Sequence, residues 1–306
     1  MPTRPDDGSG APVGPARRPV GAHTPTGGGL AKAALPYADA TGAEVVQVYV
    51  SNSRGWALPP GDPAQDALFV EGCQARGILV YVHAALLVNL GSPTPATVAH
   101  SVRTLAHALR RGRAIGARGV VFHAGSSVDA AHDAAARRQV REALLPLLDA
   151  TDAADGPMLL VEPTAGGGRS LASRMEHLGP YLDAVDGHPR LGVCFDTCHA
   201  WAAGHDLAAE GGLTATLDTL VATVGPGRLR LVHANDSKDL CGSTRDRHEN
   251  VGKGTIGEPA FAELMTHPAT AGVPVVVETP TEKHVGHDAD IATLKRLRPP
   301  PAAPTP

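Results

Sequence analysis

The sequence predicts a single (β/α)8 TIM barrel, and three features of the sequence indicate this fold. Eight short β-rich runs recur about every 37 residues, which is the length of a strand, a helix and two loops. The segments between the runs have helical periodicity, and most of the runs end in an acidic or histidine side chain. The runs cover residues 19–23, 45–50, 78–83, 120–123, 158–162, 191–196, 229–233 and 275–278.

The helical segments separate the predicted strands. Residues 97–109 place Val98, Val102 and Leu105 on one apolar stripe, and residues 137–148 repeat the pattern. An alternation of strands and helices is also typical of an open, doubly wound sheet. The pattern alone therefore leaves two architectures.

The ends of the strands distinguish these architectures. In a closed parallel barrel, all strand carboxyl ends meet at one face, whereas an open sheet spreads them along a line. Among the side chains at the ends of the runs, we single out six that can bind a metal ion, namely His83, His123, Glu162, Asp196, His233 and Glu278. We therefore predict a barrel over residues 19–298 with a metal site at the carboxyl ends of its strands.

Composition and cysteine spacing indicate one large core, two tails and a reducing compartment, and they argue against a secreted or membrane protein. The 306 residues are 42% apolar, which is enough to fill one large core. Residues 1–18 and 299–306 are rich in proline without apolar periodicity, so we expect two disordered tails. No apolar run reaches ten residues, and we expect neither a signal peptide nor a membrane span. Four cysteines without a CxxC pair indicate a reducing compartment, so we expect a cytoplasmic protein.

Two loops add further candidate ligands. His199 follows Asp196 by three residues, and Asp246 and His248 lie two apart in the long loop after the seventh run. Imidazole and carboxylate ligands without thiolate suit zinc, manganese or iron in a catalytic rather than a structural site. Nine candidate ligands are too many for one ion, and they suit three ions if one carboxylate bridges two of them.

Eight segments resemble, in order, the motif series of the endonuclease IV family of tri-zinc nucleases. They read GAHTPTGGGL, VYVSNSRGW, VHAALLVNLGSP, VVFHAGSS, VEPTAGGG, FDTCHAWAAGHD, HANDSKDLCGSTRDRHENVGKGTIG and VVVETP. The resemblance as a whole covers the chain from Gly21 to about Leu297. The resemblance implies a (β/α)8 barrel that cleaves the phosphodiester bond 5′ to an abasic site. It also implies 3′-hydroxyl and 5′-deoxyribose phosphate products, and removal of groups that block a 3′ end.

The resemblance implies how the nine ligands are shared. His83, His123 and Glu162 would hold one zinc ion, Glu162, Asp196, His233 and Glu278 a second, and His199, Asp246 and His248 a third. Glu162 would be the bridging catalytic carboxylate, and Mn²⁺ is the alternative to Zn²⁺ at part of the sites. Three zinc ions add six positive charges to the formal charge of −4 and leave +2, so this charge does not exclude a polyanionic partner.

A second set of residues is predicted to contact DNA. By resemblance, Arg54 in the NSRGW loop enters the duplex at the lesion. Leu86 stands where the family commonly has tyrosine, which changes how kinked DNA is held, and Pro163 stands where the family usually has asparagine. Further cations expected at the DNA backbone are Lys238, Arg245, Arg247 and Lys253. For each cation the alternative is a solvated surface position.

Two other function classes remain open from the residues alone. One is a xylose-isomerase-like sugar isomerase or epimerase, which does not need the group His199, Asp246 and His248. The other is a non-catalytic protein that binds DNA or zinc, which metal-dependent nicking would exclude. Under the nuclease interpretation, the partner is duplex DNA with abasic or 3′-blocked lesions, no membrane is involved, and we expect a monomer.

Overall fold

The computed structural model describes residues 17–150, 156–281 and 286–299. Its strands are β1 Val20–His23, β2 Val45–Tyr49, β3 Leu79–His83, β4 Gly119–His123, β5 Met158–Glu162, β6 Leu191–Asp196, β7 Leu229–His233, β8 Asp236–Ser237, β9 His248–Glu249 and β10 Val275–Val277. Its α-helices are α1 Leu30–Thr41, α2 Pro63–Arg76, α3 Pro95–Ala114, α4 Asp133–Ala150, α5 Leu178–Asp183, α6 Thr197–Ala202, α7 Gly212–Val224, α8 Glu258–Thr266 and α9 His287–Arg296. Short 3₁₀ helices cover Ala130–His132, Met175–His177 and Pro268–Thr270.

Eight strands close into a parallel barrel, which confirms the predicted fold class. β1 to β7 follow one another around the barrel, and β10 pairs with both β7 and β1. Because β10 joins the two ends of the sheet, an open doubly wound arrangement is excluded. The eight predicted runs agree with the barrel strands to within one residue at either end. Glu278 lies one residue beyond β10.

The helices pack against the strands and against one another, and α2 shows how the sequence sets the two ends of a helix. Asp62 caps α2, because its carboxylate accepts hydrogen bonds from two backbone amides of the first turn. Gly77 ends α2 in the left-handed conformation, which glycine adopts without steric cost. The predicted helical segments 97–109 and 137–148 lie within α3 and α4.

The barrel interior is layered, because side chains alternate between the two faces of each strand. One buried layer is apolar and comprises Val45, Tyr81, Val121, Leu160, Cys194, Leu231 and Val276. Gly21 pairs in register with Val276, and a Cβ on Gly21 would lie 1.7 Å from the Val45 backbone oxygen. Two residues further along each strand the interior becomes polar. The apolar layer therefore forms the floor of the polar site.

A short antiparallel ribbon follows β7. Ser237 of β8 pairs with His248 of β9, and Asp236 pairs with Glu249. The pairing turns the intervening loop back on itself, and this loop contains Asp246.

The predicted amino-terminal tail, residues 1–18, overlaps the described chain at its last two residues. Arg18 is 3% exposed and donates from Nε to Thr270 Oγ1 over 2.8 Å and from Nη2 to the His267 oxygen over 2.6 Å. Arg18 is therefore packed on the barrel, while residues 1–16 and 300–306 of the two tails lie outside the described residues. No described helix combines the length and the apolar character needed to cross a membrane.

Candidate metal centre

A ring of polar side chains lies at the carboxyl end of the barrel. Each barrel strand contributes one member, two residues beyond the apolar layer. The members are His23, Gln47, His83, His123, Glu162, Asp196, His233 and Glu278. The structure therefore brings together all six residues that the sequence singled out at strand ends, and it adds His23 and Gln47.

Glu162 is fully buried and contacts ring members on both sides. Its Oε2 lies 3.3 Å from His83 Nε2 and 3.5 Å from His123 Nε2. Its Oε1 lies 3.0 Å from His233 Nδ1. The two carboxylate oxygens therefore face two different groups of donors, as expected of a carboxylate that bridges two ions.

His233 is the centre of the second group. Its Nδ1 lies 3.3 Å from Glu278 Oε2 and 3.8 Å from Asp196 Oδ2, in addition to its contact with Glu162. Ligand atoms of Asp196, His233 and Glu278 all lie within 4.8 Å of one another. Three carboxylates around one buried imidazole nitrogen make a strong site for a cation.

The third group combines α6 with the ribbon loop. His199 Nε2 lies 3.2 Å from Asp246 Oδ2, and His248 Nε2 lies 2.9 Å from Asp246 Oδ1. His248 Nε2 is buried and has no partner in hydrogen-bonding geometry among the described residues. Such an orphaned donor atom beside a carboxylate fits a metal ligand. The structure therefore assembles the three residues that the sequence placed on two separate loops.

Three of these imidazoles are oriented by backbone carbonyls. The Nδ1 atoms of His83, His199 and His248 lie 2.7, 3.0 and 3.1 Å from the oxygens of Ala84, Pro163 and Glu278, respectively. A hydrogen bond at Nδ1 leaves Nε2 free to bind a metal, which is the usual arrangement around a ligating histidine. At Pro163, the departure from the family pattern, the contact uses the backbone carbonyl, which proline retains.

Crowding of charged groups shifts the pKa values of the cluster. Burial by itself would raise the pKa of Glu162, but the neighbouring histidines lower it well below its usual range. Burial would lower the pKa of His199 and His233, but nearby acidic groups raise it well above its usual range. The pKa of His248 is raised to about 9 by the adjacent Asp246 carboxylate and by other carboxylates, against the effect of burial. The protons on these imidazoles occupy positions that a cation would take, so cation binding would release protons.

Two thiols lie beside the ligand groups. Cys194 lies within reach of Glu162 and His233, and Cys198 lies near Asp246 and His248. Burial raises the pKa of both thiols to about 12, so they are neutral near pH 7. Imidazoles and carboxylates therefore remain the charged donor set, and this set suits divalent zinc or manganese.

Known proteins resemble this chain in sequence and in fold. Residues 35–298 match the family described as the xylose isomerase-like TIM barrel. The probable endonuclease 4 of Streptomyces coelicolor is 58% identical over 282 residues, which cover 92% of this chain and 96% of that protein. Endonuclease IV from Thermus thermophilus is 32% identical with a TM-score of 0.79, over 91% of this chain and 98% of that structure. The chain belongs to the endonuclease IV family.

Membership in the endonuclease IV family makes this chain a nuclease. It confirms the family that the eight sequence motifs predicted. Sugar enzymes share the barrel more distantly. The 3-keto-D-glucoside 4-epimerase YcjR from E. coli is 14% identical with a TM-score of 0.66, over 92% of this chain and 99% of that structure. At this level of identity, the similarity shows the fold alone.

The endonuclease IV motif HANDSK contains a buried asparagine that the sequence analysis did not single out. Asn235 Nδ2 donates to Asp196 Oδ2 over 2.7 Å, and Asn235 Oδ1 accepts from the Glu278 amide over 2.8 Å. One side chain thus holds two candidate ligands of the second group. Its position two residues after His233, at the end of a strand, is the only sequence signal for it.

The next residue, Asp236, organises the loop that carries the third group. Its buried carboxylate accepts hydrogen bonds of 2.8 to 3.2 Å from the amides of Ser237, Gly252, Ile256 and Gly257. A Cβ on Gly254 would lie 2.4 Å from Asp236 Oδ1, so the loop needs glycine at this point. Asp236 therefore closes the loop that contains Asp246 and His248.

Arg54 and Leu86 lie on adjacent loops at the mouth of the barrel. The Leu86 amide donates to the Ser53 oxygen over 2.8 Å, which joins the loop after β2 to the loop after β3. Arg54 is exposed, and the Leu86 side chain is 40% exposed. Trp56 packs its ring 5.1 Å from His100 of α3 and anchors the Arg54 loop.

The other predicted DNA contacts lie in and beside the ribbon loop, and they differ in how free they are. Lys238 and Lys253 are exposed, and neither ammonium group has an ion-pair partner among the described residues. Arg247 donates from Nε to Asp239 Oδ2 over 2.6 Å, and Arg245 Nη1 lies 3.7 Å from Asp239 Oδ1. The lysines are therefore free to meet a phosphate, whereas the arginines share Asp239.

Replacing Asp236 by asparagine should loosen the ribbon loop. The Asp236→Asn variant turns one accepting oxygen into an NH₂ group that faces two backbone N–H groups. We expect the free energy of unfolding to fall by about 1–3 kcal/mol, and amide exchange over residues 238–257 to accelerate, as measured by hydrogen exchange with mass spectrometry. The control is Asp183→Asn, at an exposed carboxylate at the end of α5, which should behave as the parent. Parental exchange rates in Asp236→Asn would contradict this role.

Proposed function

We propose that this chain is a DNA repair endonuclease that hydrolyses the phosphodiester bond 5′ to abasic sites in duplex DNA. The products would be a 3′-hydroxyl and a 5′-deoxyribose phosphate, and the same site would remove groups that block a 3′ end. The observation that supports this proposal most strongly is the position of Glu162, whose two oxygens face two ligand groups. The similarity to the probable endonuclease 4 of Streptomyces coelicolor and its relatives supports the same function.

Nine residues would hold three divalent ions, with Zn²⁺ as the main ion and Mn²⁺ as the alternative at part of the sites. The first group is His83, His123 and Glu162, the second is Glu162, Asp196, His233 and Glu278, and the third is His199, Asp246 and His248. When bound, such ions neutralise phosphate charge, lower the pKa of a water nucleophile and stabilise a leaving oxygen. The donor types and the orphaned His248 nitrogen fit this assignment.

The protein's own groups would deliver the DNA backbone to this site. Four carboxylates at the site would repel a phosphate, so the surrounding cations matter for binding. Lys238 and Lys253 flank the loop that contains Asp246 and His248, and both are exposed. Phosphate contacts of this kind add affinity that does not depend on base sequence and that weakens as salt rises.

Selection of the lesion would come from the joined loops after β2 and β3. An abasic nucleotide costs less to remove from the stack than a paired one, so the protein needs to fill the gap that it leaves. Apolar wedges such as leucine unstack a base step and kink the duplex. Arg54 and Leu86 both lie on these loops, which form one side of the rim of the barrel mouth. A hydrogen bond from the Leu86 amide to the Ser53 oxygen joins the two loops.

The proposal is tested with a duplex that contains one abasic analogue and with a matched undamaged duplex. We expect purified protein to contain close to three zinc ions and to nick only the damaged duplex, 5′ to the lesion, leaving an end that a polymerase extends. Prolonged chelation should abolish nicking, and added Zn²⁺ should restore it. Absence of metal-dependent nicking, or full activity with one ion or none, would refute the proposal.

The bridging role of Glu162 predicts an unequal effect of two ligand variants. Glu162→Gln weakens the hold on two ions at once, whereas His248→Ala removes one ligand of one ion. We expect the nicking rate of Glu162→Gln to be at least about tenfold below that of His248→Ala, which corresponds to about 1.4 kcal/mol in the barrier. Single-turnover kinetics with elemental analysis measure both effects. Equal residual rates and equal metal contents would argue against the bridge.

The rim residues predict a second inequality. Leucine offers less stacking area than tyrosine, so the Arg54 guanidinium, which both stacks and meets phosphate, should account for more of the distortion. We expect Arg54→Ala to reduce duplex nicking by about tenfold or more, Leu86→Ala to reduce it less, and Leu86→Tyr to match or exceed the parent. Zinc content should stay parental in all three variants. The control is Arg113→Ala, at an exposed arginine on α3, and a parental rate in Arg54→Ala would remove Arg54 from the substrate contact.

A further inference from the structure

Gln47 is the one member of the polar ring that is neither acidic nor a histidine. It lies on β2 and is fully buried among the candidate ligands. A neutral amide at this position offers no strong ligand to a zinc ion. Its burial in the ring therefore calls for another explanation.

The amide of Gln47 contacts three ring members. Its Nε2 donates to Glu278 Oε1 over 2.6 Å and lies 3.0 Å from His23 Nδ1. Its Oε1 lies 2.9 Å from His233 Nε2. Gln47 thus links two residues of the second ligand group, Glu278 and His233, from opposite ends of one amide.

The direction of these hydrogen bonds follows from the chemistry of the groups. A ligating carboxylate only accepts hydrogen bonds, so the amide nitrogen faces Glu278. The amide oxygen then faces His233 Nε2, which must donate its proton. A neutral imidazole with its proton on Nε2 has its lone pair on Nδ1. In His233 this is the atom that lies among the carboxylates of Glu162, Asp196 and Glu278.

His233 also differs from the other oriented imidazoles. His83, His199 and His248 each have Nδ1 near a backbone carbonyl, which no substitution removes. The far nitrogen of His233 is instead held by the side chain of Gln47. The orientation of this one ligand is therefore open to a test by mutation.

We infer that Gln47 is a positioning residue, which holds His233 in the tautomer that presents Nδ1 to the second ion and holds Glu278 beside it. The inference rests on the proposed three-metal site, but it concerns this chain's own hydrogen bonds. Partners of this type typically change metal affinity by about 10–100-fold when they are lost.

The test is a titration of the metal-depleted protein with Zn²⁺ in competition with a chromophoric chelator. Gln47→Met keeps the length of the side chain and removes both polar atoms. We expect this variant to bind two ions with parental affinity and the remaining ion about 10–100-fold more weakly. Glu278→Ala identifies the affected ion, and the double variant should lose less affinity than the sum of the two single losses, because part of the effect of Gln47 acts through Glu278. The matched control is Gln139→Met, because Gln139 is a partly buried glutamine that donates to the backbone oxygens of Ser92 and Leu90 away from the ring.

The outcomes separate this inference from the proposed function. A parent protein that binds fewer than three ions contradicts the three-metal proposal, while the inference is still judged by whether Gln47→Met and Glu278→Ala weaken the same ion. Parental affinity for every ion in Gln47→Met overturns the inference. Equal weakening of all ions, or a loss in the double variant equal to the full sum of the two single losses, also overturns it, because a merely structural role would act in that way.

Discussion

The burial of the Glu162 carboxylate is the constraint on which the rest of the centre depends. A charge that is removed from water at the middle of a protein is costly unless positive partners surround it. His83 and His123 approach one oxygen, and His233 approaches the other. The remaining acidic groups add negative charge around these imidazoles, so the site favours positive charge, either as protons on the imidazoles or as cations in their place.

The barrel supplies the precision that this charge arrangement needs. Each strand delivers one side chain to the polar ring because the side-chain period is two, and the apolar layer beneath it keeps water out of the floor. Backbone carbonyls at the strand ends and loops orient three imidazoles. The Asn235 side chain joins the Asp196 carboxylate to the backbone amide of Glu278. Rigid strands therefore hold the first two ligand groups. The third group depends on a loop that the buried carboxylate of Asp236 closes.

The loops at the mouth of the barrel differ in character: the ribbon loop is charged, whereas the loops after β2 and β3 contribute mainly shape. The ribbon and the turn after it combine candidate metal ligands, Asp246 and His248, with the exposed lysines Lys238 and Lys253, so under the proposed function the same segment would meet both the ions and the phosphate. The loops after β2 and β3 carry Arg54 and Leu86, and the backbone amide of Leu86 donates to the oxygen of Ser53, the neighbour of Arg54. Departures from the family pattern fall into this division. Pro163 keeps the carbonyl that its position contributes, whereas Leu86 changes the shape of the rim.

The sequence by itself determined the barrel strands to within one residue, and it identified every candidate ligand, because strand periodicity and the position of a residue at a strand end are local properties. The family motifs added the sharing of Glu162 between two groups. The roles of Gln47, Asn235 and Asp236 emerged only from the tertiary structure, and so did the membership of His23 in the polar ring. Gln47 reads as an ordinary polar residue in a β-run, and its role arises because closure of the barrel places β2 close to His233 of β7 and to Glu278 after β10. Likewise, Asp236 acquires its partners from amides 16 to 21 residues later. Contacts of this kind depend on how distant segments meet in space, and no local pattern in the chain encodes them.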